Sequence, residues 1–184
     1  MRVAICPGIH DPQLTNSFLK GLSEQGLIEN LSPQFWVFPA QDYPAYSALD
    51  IMCCLGREVP AGESLIFVSF SAGVVGAVAA AWGWHQFGGK VRALIALDGW
   101  GVPLAGNFPI HRLSHDYFTH WSSALLGTGA ENFYADPSVE HLDLWRSPQT
   151  VRGWRLYQTP SGTQTSEPTT AAAFLVNLFK RYGV

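Results

Sequence analysis

The segment Ser64-Leu65-Ile66-Phe67-Val68-Ser69-Phe70-Ser71-Ala72-Gly73-Val74-Val75-Gly76 changes character in mid-course. Up to Phe70 it is apolar, β-branched and aromatic, the composition of a buried strand. From Ala72 to Trp84 the residues are mostly small and apolar, which suits a buried helix. A strand that turns into a helix this abruptly forces its middle residue, Ser71, into a strained conformation. Only small residues two positions either side avoid a clash, and here those are Ser69 and Gly73.

The same order of apolar run, turn and helix-like segment recurs on both sides. Upstream, Val3 to Cys6 ends at Pro7-Gly8. Asp11 and Pro12 then suit a helix start, with Leu14, Phe18, Leu19 and Leu22 at helical spacing. Phe35 to Phe38 closes at Pro39, and Ala48 to Leu55 follows as a helix. Downstream, Val91 to Leu97 ends at Asp98-Gly99. Ile110 to Ser114 is a more polar fifth run, with a helix expected from Tyr117 to Leu126, and Asn132 to Ala135 is the sixth. Ser147-Pro148 is expected to open a short helix, and Thr169-Thr170 to cap the last one, Ala171 to Arg181. Thr159 to Thr170, rich in Pro, Gly, Ser and Thr, reads as a surface loop.

Strands alternating with helices imply right-handed crossovers and a mostly parallel sheet, and near-continuous apolar runs imply strands covered on both faces. The expectation is one α/β domain over residues 1–184. Its architecture is a three-layer α/β/α sandwich with a mostly parallel sheet of about six strands. Ligands of such sheets lie beyond the carboxyl ends of the strands, so functional residues are sought there.

Composition narrows the function classes. Of 184 residues, 47% are apolar and 13% aromatic, enough for a substantial core and unlike a disordered chain. Eleven Lys and Arg against fourteen Asp and Glu give a net charge of −3, with no basic run to meet nucleic-acid phosphates. Cys6, Cys53 and Cys54 form neither a disulfide framework nor a C-x-x-C pair. The apolar stretch Ala72 to Trp84 is shorter than the ~20 residues of a membrane span. The N-terminus enters a strand-like run at once, without the apolar stretch and cleavage site of a signal peptide. A cytoplasmic chain without a membrane span is expected. No G-x-G-x-x-G or G-x-x-x-x-G-K-[ST] occurs, so no nucleotide cofactor is implied.

The turn Ser69-Phe70-Ser71-Ala72-Gly73 exposes one side chain above the sheet and leaves the next backbone N–H, that of Ala72, free to hold an oxyanion. The helix N-terminus favours negative charge at the same place. Here the sequence resembles the α/β-hydrolase family, in its small, lidless serine-hydrolase form, whose nucleophile elbow reads G-x-S-x-G. Ser69 stands at the first position, where the family accepts small residues. Ser71 is then the nucleophile the resemblance implies, with an acid and a histidine following in that order.

Of six histidines only His141, in Val139-Glu140-His141-Leu142-Asp143, follows the sixth run and precedes an apolar turn. The resemblance places the base there. For the acid, Asp116 ends the fifth run, where most of the family carries it. Asp98 ends the fourth, a minority position, and Asp136 in Ala135-Asp136-Pro137 is a third option. Asp116 is preferred, with Asp98 the alternative. The second oxyanion donor is expected from Pro7-Gly8-Ile9-His10-Asp11, through the N–H of Ile9 or His10.

The resemblance therefore implies hydrolysis of an ester or thioester through a Ser-His-Asp triad and an acyl-enzyme. Trp100, Tyr117, Phe118 and Trp121 follow the fourth and fifth runs and are candidates for lining the substrate pocket. Two other readings stand beside this one. A fold of this kind can serve as an inactive binding module. The cluster His111, His115, Asp116 and His120 could instead serve a metal-dependent hydrolase, although no single helical face gathers all four.

Overall fold

The computed structural model describes residues 1–24, 34–159 and 161–184. Six strands run parallel: β1 (Arg2–Cys6), β2 (Phe35–Val37), β3 (Ser64–Phe70), β4 (Lys90–Leu97), β5 (Ile110–Ser114) and β6 (Glu131–Ala135). Two more, β7 (Arg152–Gln158) and β8 (Gln164–Thr170), add an antiparallel hairpin at one edge. The sheet order is β2-β1-β3-β4-β5-β6-β7-β8. The chain leaves β1 toward one side for β2 and returns on the other as β3. That reversal puts the loop after β1 beside the loop after β3, where open α/β sheets form their ligand crevice.

The helices are α1 (Pro12–Ser23), α2 (Ala48–Glu58), α3 (Ala72–Gln86), α4 (Tyr117–Ala124), α5 (His141–Arg146) and α6 (Ala171–Tyr182). Period-two alternation in β3 divides the core between the faces of the sheet. Ile66, Val68 and Phe70 meet Phe18 and Leu22 of α1, Trp145 of α5 and Phe174 of α6. Leu65 and Phe67 meet Ile51 and Leu55 of α2 and Ala77 and Ala81 of α3. Each such Leu, Ile or Phe contributes roughly 1.5–3 kcal/mol by leaving water. Local signals set the helix starts: Asp11 accepts a hydrogen bond from the Gln13 N–H at 2.8 Å, and Thr170 from the Ala173 N–H at 3.2 Å.

Three expectations are corrected. The sheet has eight strands, not about six, because the chain after His141 makes a hairpin. The Thr159 to Thr170 stretch is mostly strand β8; residue 160 lies outside the described residues. β8 is polar because it is an edge strand, and its Pro168 is tolerated there. It is tied to the sheet by side chains: Arg155 of β7 pairs with Glu131 of β6 and Glu167 of β8 and lies 4.4 Å above the Tyr157 ring. Finally, the short helix begins at His141, not at Ser147-Pro148, which falls in the turn after it.

Candidate active site

Ser71 is the N-cap of α3 and has φ 52° and ψ −123°. The conformation is held from both sides: its N–H donates to Leu97 O at 2.9 Å, and its carbonyl accepts from Val74 N at 3.0 Å. The side chain makes no capping hydrogen bond, so the hydroxyl is left for other work. At Gly73 a Cβ would stand 2.3 Å from the carbonyl oxygens of Cys6 and Pro7. Only glycine lets α3 start this close to β1. A Cβ on Gly8 would come within 3.0 Å of Ser71 Cβ, so the loop after β1 lies directly on the turn. Ser69, fully buried, satisfies its hydroxyl on Ile95 O at 3.3 Å.

Asp98, just past β4, has φ 50°. Among the described residues, Ser71 and Asp98 are the only non-glycine residues in the left-handed region. Such strain persists only where the surroundings impose it, and it gathers at functional sites. The Asp98 side chain is 1% exposed. Its Oδ2 accepts from His141 Nδ1 at 2.8 Å and from His115 Nδ1 at 2.9 Å, and its Oδ1 accepts from the His115 N–H at 2.9 Å. A buried carboxylate with three donors is well compensated. The bond to Asp98 raises the pKa of His115 above the usual histidine value, against a smaller opposing effect of partial burial.

His141 opens α5, and its ring stacks on Phe70 with centroids 4.7 Å apart. Phe70 stacks in turn on Trp145 at 5.1 Å, and Trp145 on Phe18 at 3.8 Å. This column of rings runs from the core to the imidazole and fixes its plane. With Nδ1 held by Asp98, Nε2 is the nitrogen left to exchange a proton. Ser71 Oγ and His141 do not hydrogen-bond in this structure.

Ser71, Ala72, Asp98, His115 and His141 share one cavity of about 460 Å³, with Val75, Trp100, Val102 and Phe118 as its apolar wall. Asp116 lies elsewhere. It caps α4, accepting from Thr119 N at 2.6 Å, and its nearest imidazole is that of His115, at 3.6 Å. The structure thus joins Asp98 to His141, not the preferred Asp116. Asp136 accepts from Trp154 Nε1 at 2.9 Å. The Ile9 side chain is exposed, and His10 borders a separate cavity with Thr15 and Phe38. Trp100 borders the Ser71 cavity. Tyr117 instead packs edge-on against Tyr134, and Trp121 lies outside the cavity beside Phe118. Val75, Val102 and the role of His115 were not read from the sequence. His115 is marked only by standing one residue past a strand end.

The cluster His111, His115, Asp116 and His120 is not brought together. Alternation along β5 sends His111 to the α6 face, where its Nε2 meets Tyr182 Oη at 2.8 Å. His120 stacks on Tyr134, centroids 5.4 Å apart. Among the described residues the group able to hold a metal ion is Asp98, His115 and His141, whose ligand atoms lie within 4.8 Å of one another. Their 2.8 and 2.9 Å nitrogen–oxygen separations are those of hydrogen bonds. Cys6 is fully buried, which pushes its thiol up to about 12 and keeps it protonated. Comparison of the sequence with protein-family models and with curated proteins finds no match.

Proposed function

We propose that the chain is a serine hydrolase of the α/β-hydrolase type, with Ser71 as nucleophile, His141 as base and Asp98 as acid. One observation carries this reading. The only two strained non-glycine residues described, Ser71 and Asp98, border the same cavity, and the second holds His141 by Nδ1 at 2.8 Å.

In the proposed reaction His141 Nε2 takes the Ser71 Oγ proton as Oγ bonds to the carbonyl carbon of an ester or thioester. Asp98 holds the tautomer and stabilises the imidazolium. The oxyanion is met by the Ala72 N–H at the start of α3 and by an N–H of the Gly8-Ile9-His10 loop pressed against Ser71. One such donor supplies roughly 2.7–4 kcal/mol. The carbon–oxygen or carbon–sulfur bond to the leaving group then breaks, and the proton passes from His141 to that group. Water attacks the acyl-enzyme with His141 again as base. Val75, Trp100, Val102 and Phe118 supply an apolar wall for the acyl or alcohol portion.

A fluorophosphonate probe tests this reading. Rapid labelling of the native protein, abolished in Ser71→Ala and in His141→Ala, is the result expected. No labelling of the folded protein would leave an inactive binding module, and labelling that survives Ser71→Ala would mean another nucleophile. The geometry of Asp98, His115 and His141 also admits a metal-dependent reading. Ester hydrolysis lost on chelation and restored by zinc would favour it; insensitivity to chelation supports the serine mechanism.

A further inference from the structure

A second cavity lies on the α4 side of the sheet, at the opposite ends of the strands from Ser71. Alternation and register align Arg112 of β5 with Asn132 of β6 and Leu156 of β7 across three neighbouring strands. Beside α4 this row borders a space of about 420 Å³, closed by His120, the 128–130 loop, and Gln158 and Gln164 of the hairpin. Among the described residues no Asp or Glu borders it.

Arg112 is 3% exposed. Its Nε donates to Asn132 Oδ1 at 3.2 Å and its Nη1 to Ser123 Oγ at 2.9 Å, while Nη2 has no partner among the described residues. None of the ion pairs among the described residues includes Arg112. The carboxylates on the adjoining strands are engaged elsewhere: Glu131 holds Arg155 and Arg181, and Glu167 holds Arg155. A guanidinium cannot shed its charge as a lysine can, and an uncompensated buried cation is strongly destabilising. A second buried group, His120 Nδ1, also lacks a partner among the described residues. The wall is built closely around the cation. Gly129 has φ +69°, and a Cβ there would stand 2.6 Å from Asn132 Oδ1 and 3.5 Å from Arg112 Nε.

The geometry points to an anion as the missing counter-charge: the cavity binds a small molecule through a carboxylate or phosphate group held by Arg112. His120 Nδ1 supplies a hydrogen bond, and the Gln158 and Gln164 amides take the polar remainder of the ligand. The space exceeds what an inorganic ion fills, so the natural ligand has a body beyond its charged group. The inference is independent of the catalytic reading, because no residue of the Ser71 cavity takes part.

Two probes, inorganic phosphate and acetate, titrated at constant ionic strength and followed by backbone amide NMR, test it. At least one should give saturable shifts at Gly129, Ala130 and Gln158. The same ion should raise the His120 pKa from its value of about 4, since a nearby anion favours the imidazolium. Ser71→Ala should bind equally well, and Arg112→Met at least tenfold more weakly. If Arg112→Met does not fold, Ala124→Glu on α4 brings a carboxylate to the cavity and should abolish binding. A phosphate-only response identifies a phosphoryl ligand, and a response to acetate identifies a carboxylate. Absence of saturable shifts with both ions up to tens of millimolar, or undiminished binding in Arg112→Met or Ala124→Glu, would overturn the assignment.

Discussion

Replacing Asp98 by Asn tests the proposed triad acid against Asp116, the one the sequence suggests. Asp98 receives three donors: two imidazole Nδ1–H groups on Oδ2 and a backbone N–H on Oδ1. An amide offers one oxygen and one NH₂, so it cannot accept all three. With the NH₂ on the Oδ2 side, His141 must present an unprotonated Nδ1, which moves its proton to Nε2 and removes the base. Such a swap in a serine protease lowers kcat about 10⁴-fold, or roughly 5.4 kcal/mol at 1.36 kcal/mol per decade. The folding penalty is smaller, about 1–3 kcal/mol for a donor left unsatisfied. Activity should therefore fall by far more than stability explains. Asp116→Asn is the control, because Asn caps a helix as well as Asp and the α4 start is kept. The assay is kcat/KM on p-nitrophenyl acetate, together with the fluorophosphonate labelling rate and a urea midpoint for each variant. Expected are a loss near 10⁴-fold for Asp98→Asn and a change within about threefold for Asp116→Asn. A loss above a hundredfold in Asp116→Asn, with Asp98→Asn within tenfold of native, would refute the reasoning.

Burial depresses the pKa of both His111 and His120 to about 4, in His120 with help from Arg112. The unfolded chain then binds protons first as pH falls, so each histidine withdraws on the order of 3 kcal/mol between about pH 6.5 and 4. Urea midpoints should fall steeply across that window, and less so in His120→Gln. His115 has the opposite sign: its raised pKa contributes stability that is complete below about 6.5 and fades as pH rises through the folded value. Gly73→Ala should destabilise by more than about 3 kcal/mol, because the new methyl meets two backbone carbonyls that cannot move aside. Gly56→Ala on α2, with nothing within 4 Å, should stabilise by up to about 1 kcal/mol; thermal unfolding checks both. Phe118→Ala should raise KM for longer acyl esters while the labelling rate changes little, since the ring lines the cavity and takes no part in the hydrogen bonds that hold Asp98, His115 and His141 together.

What could be read in advance was whatever a short stretch of chain decides alone. The runs at Val3, Ser64 and Val91 become strands buried over most of their length on both faces, and that leaves a continuous apolar signal. Ser71 was legible for a similar reason, since small residues on both sides of a strand-to-helix turn are a local steric requirement. The hairpin was not legible, because an edge strand such as Gln164 to Thr170 needs no apolar face and is held by Arg155, Glu131 and Glu167 from three different strands. The choice between Asp98 and Asp116 was beyond local reading as well. Both end a strand, and both side chains accept backbone hydrogen bonds. What separates them is where α5 brings His141, and that is set by a ring column running from Phe18 through Trp145 and Phe70. The sequence by itself determined an alternating α/β chain with one strained serine at a strand-to-helix turn, because propensity and sterics act between near neighbours. Only the tertiary structure decided which carboxylate meets the histidine and that buried Arg112 has no carboxylate partner among the described residues, because those depend on groups that approach from distant parts of the chain.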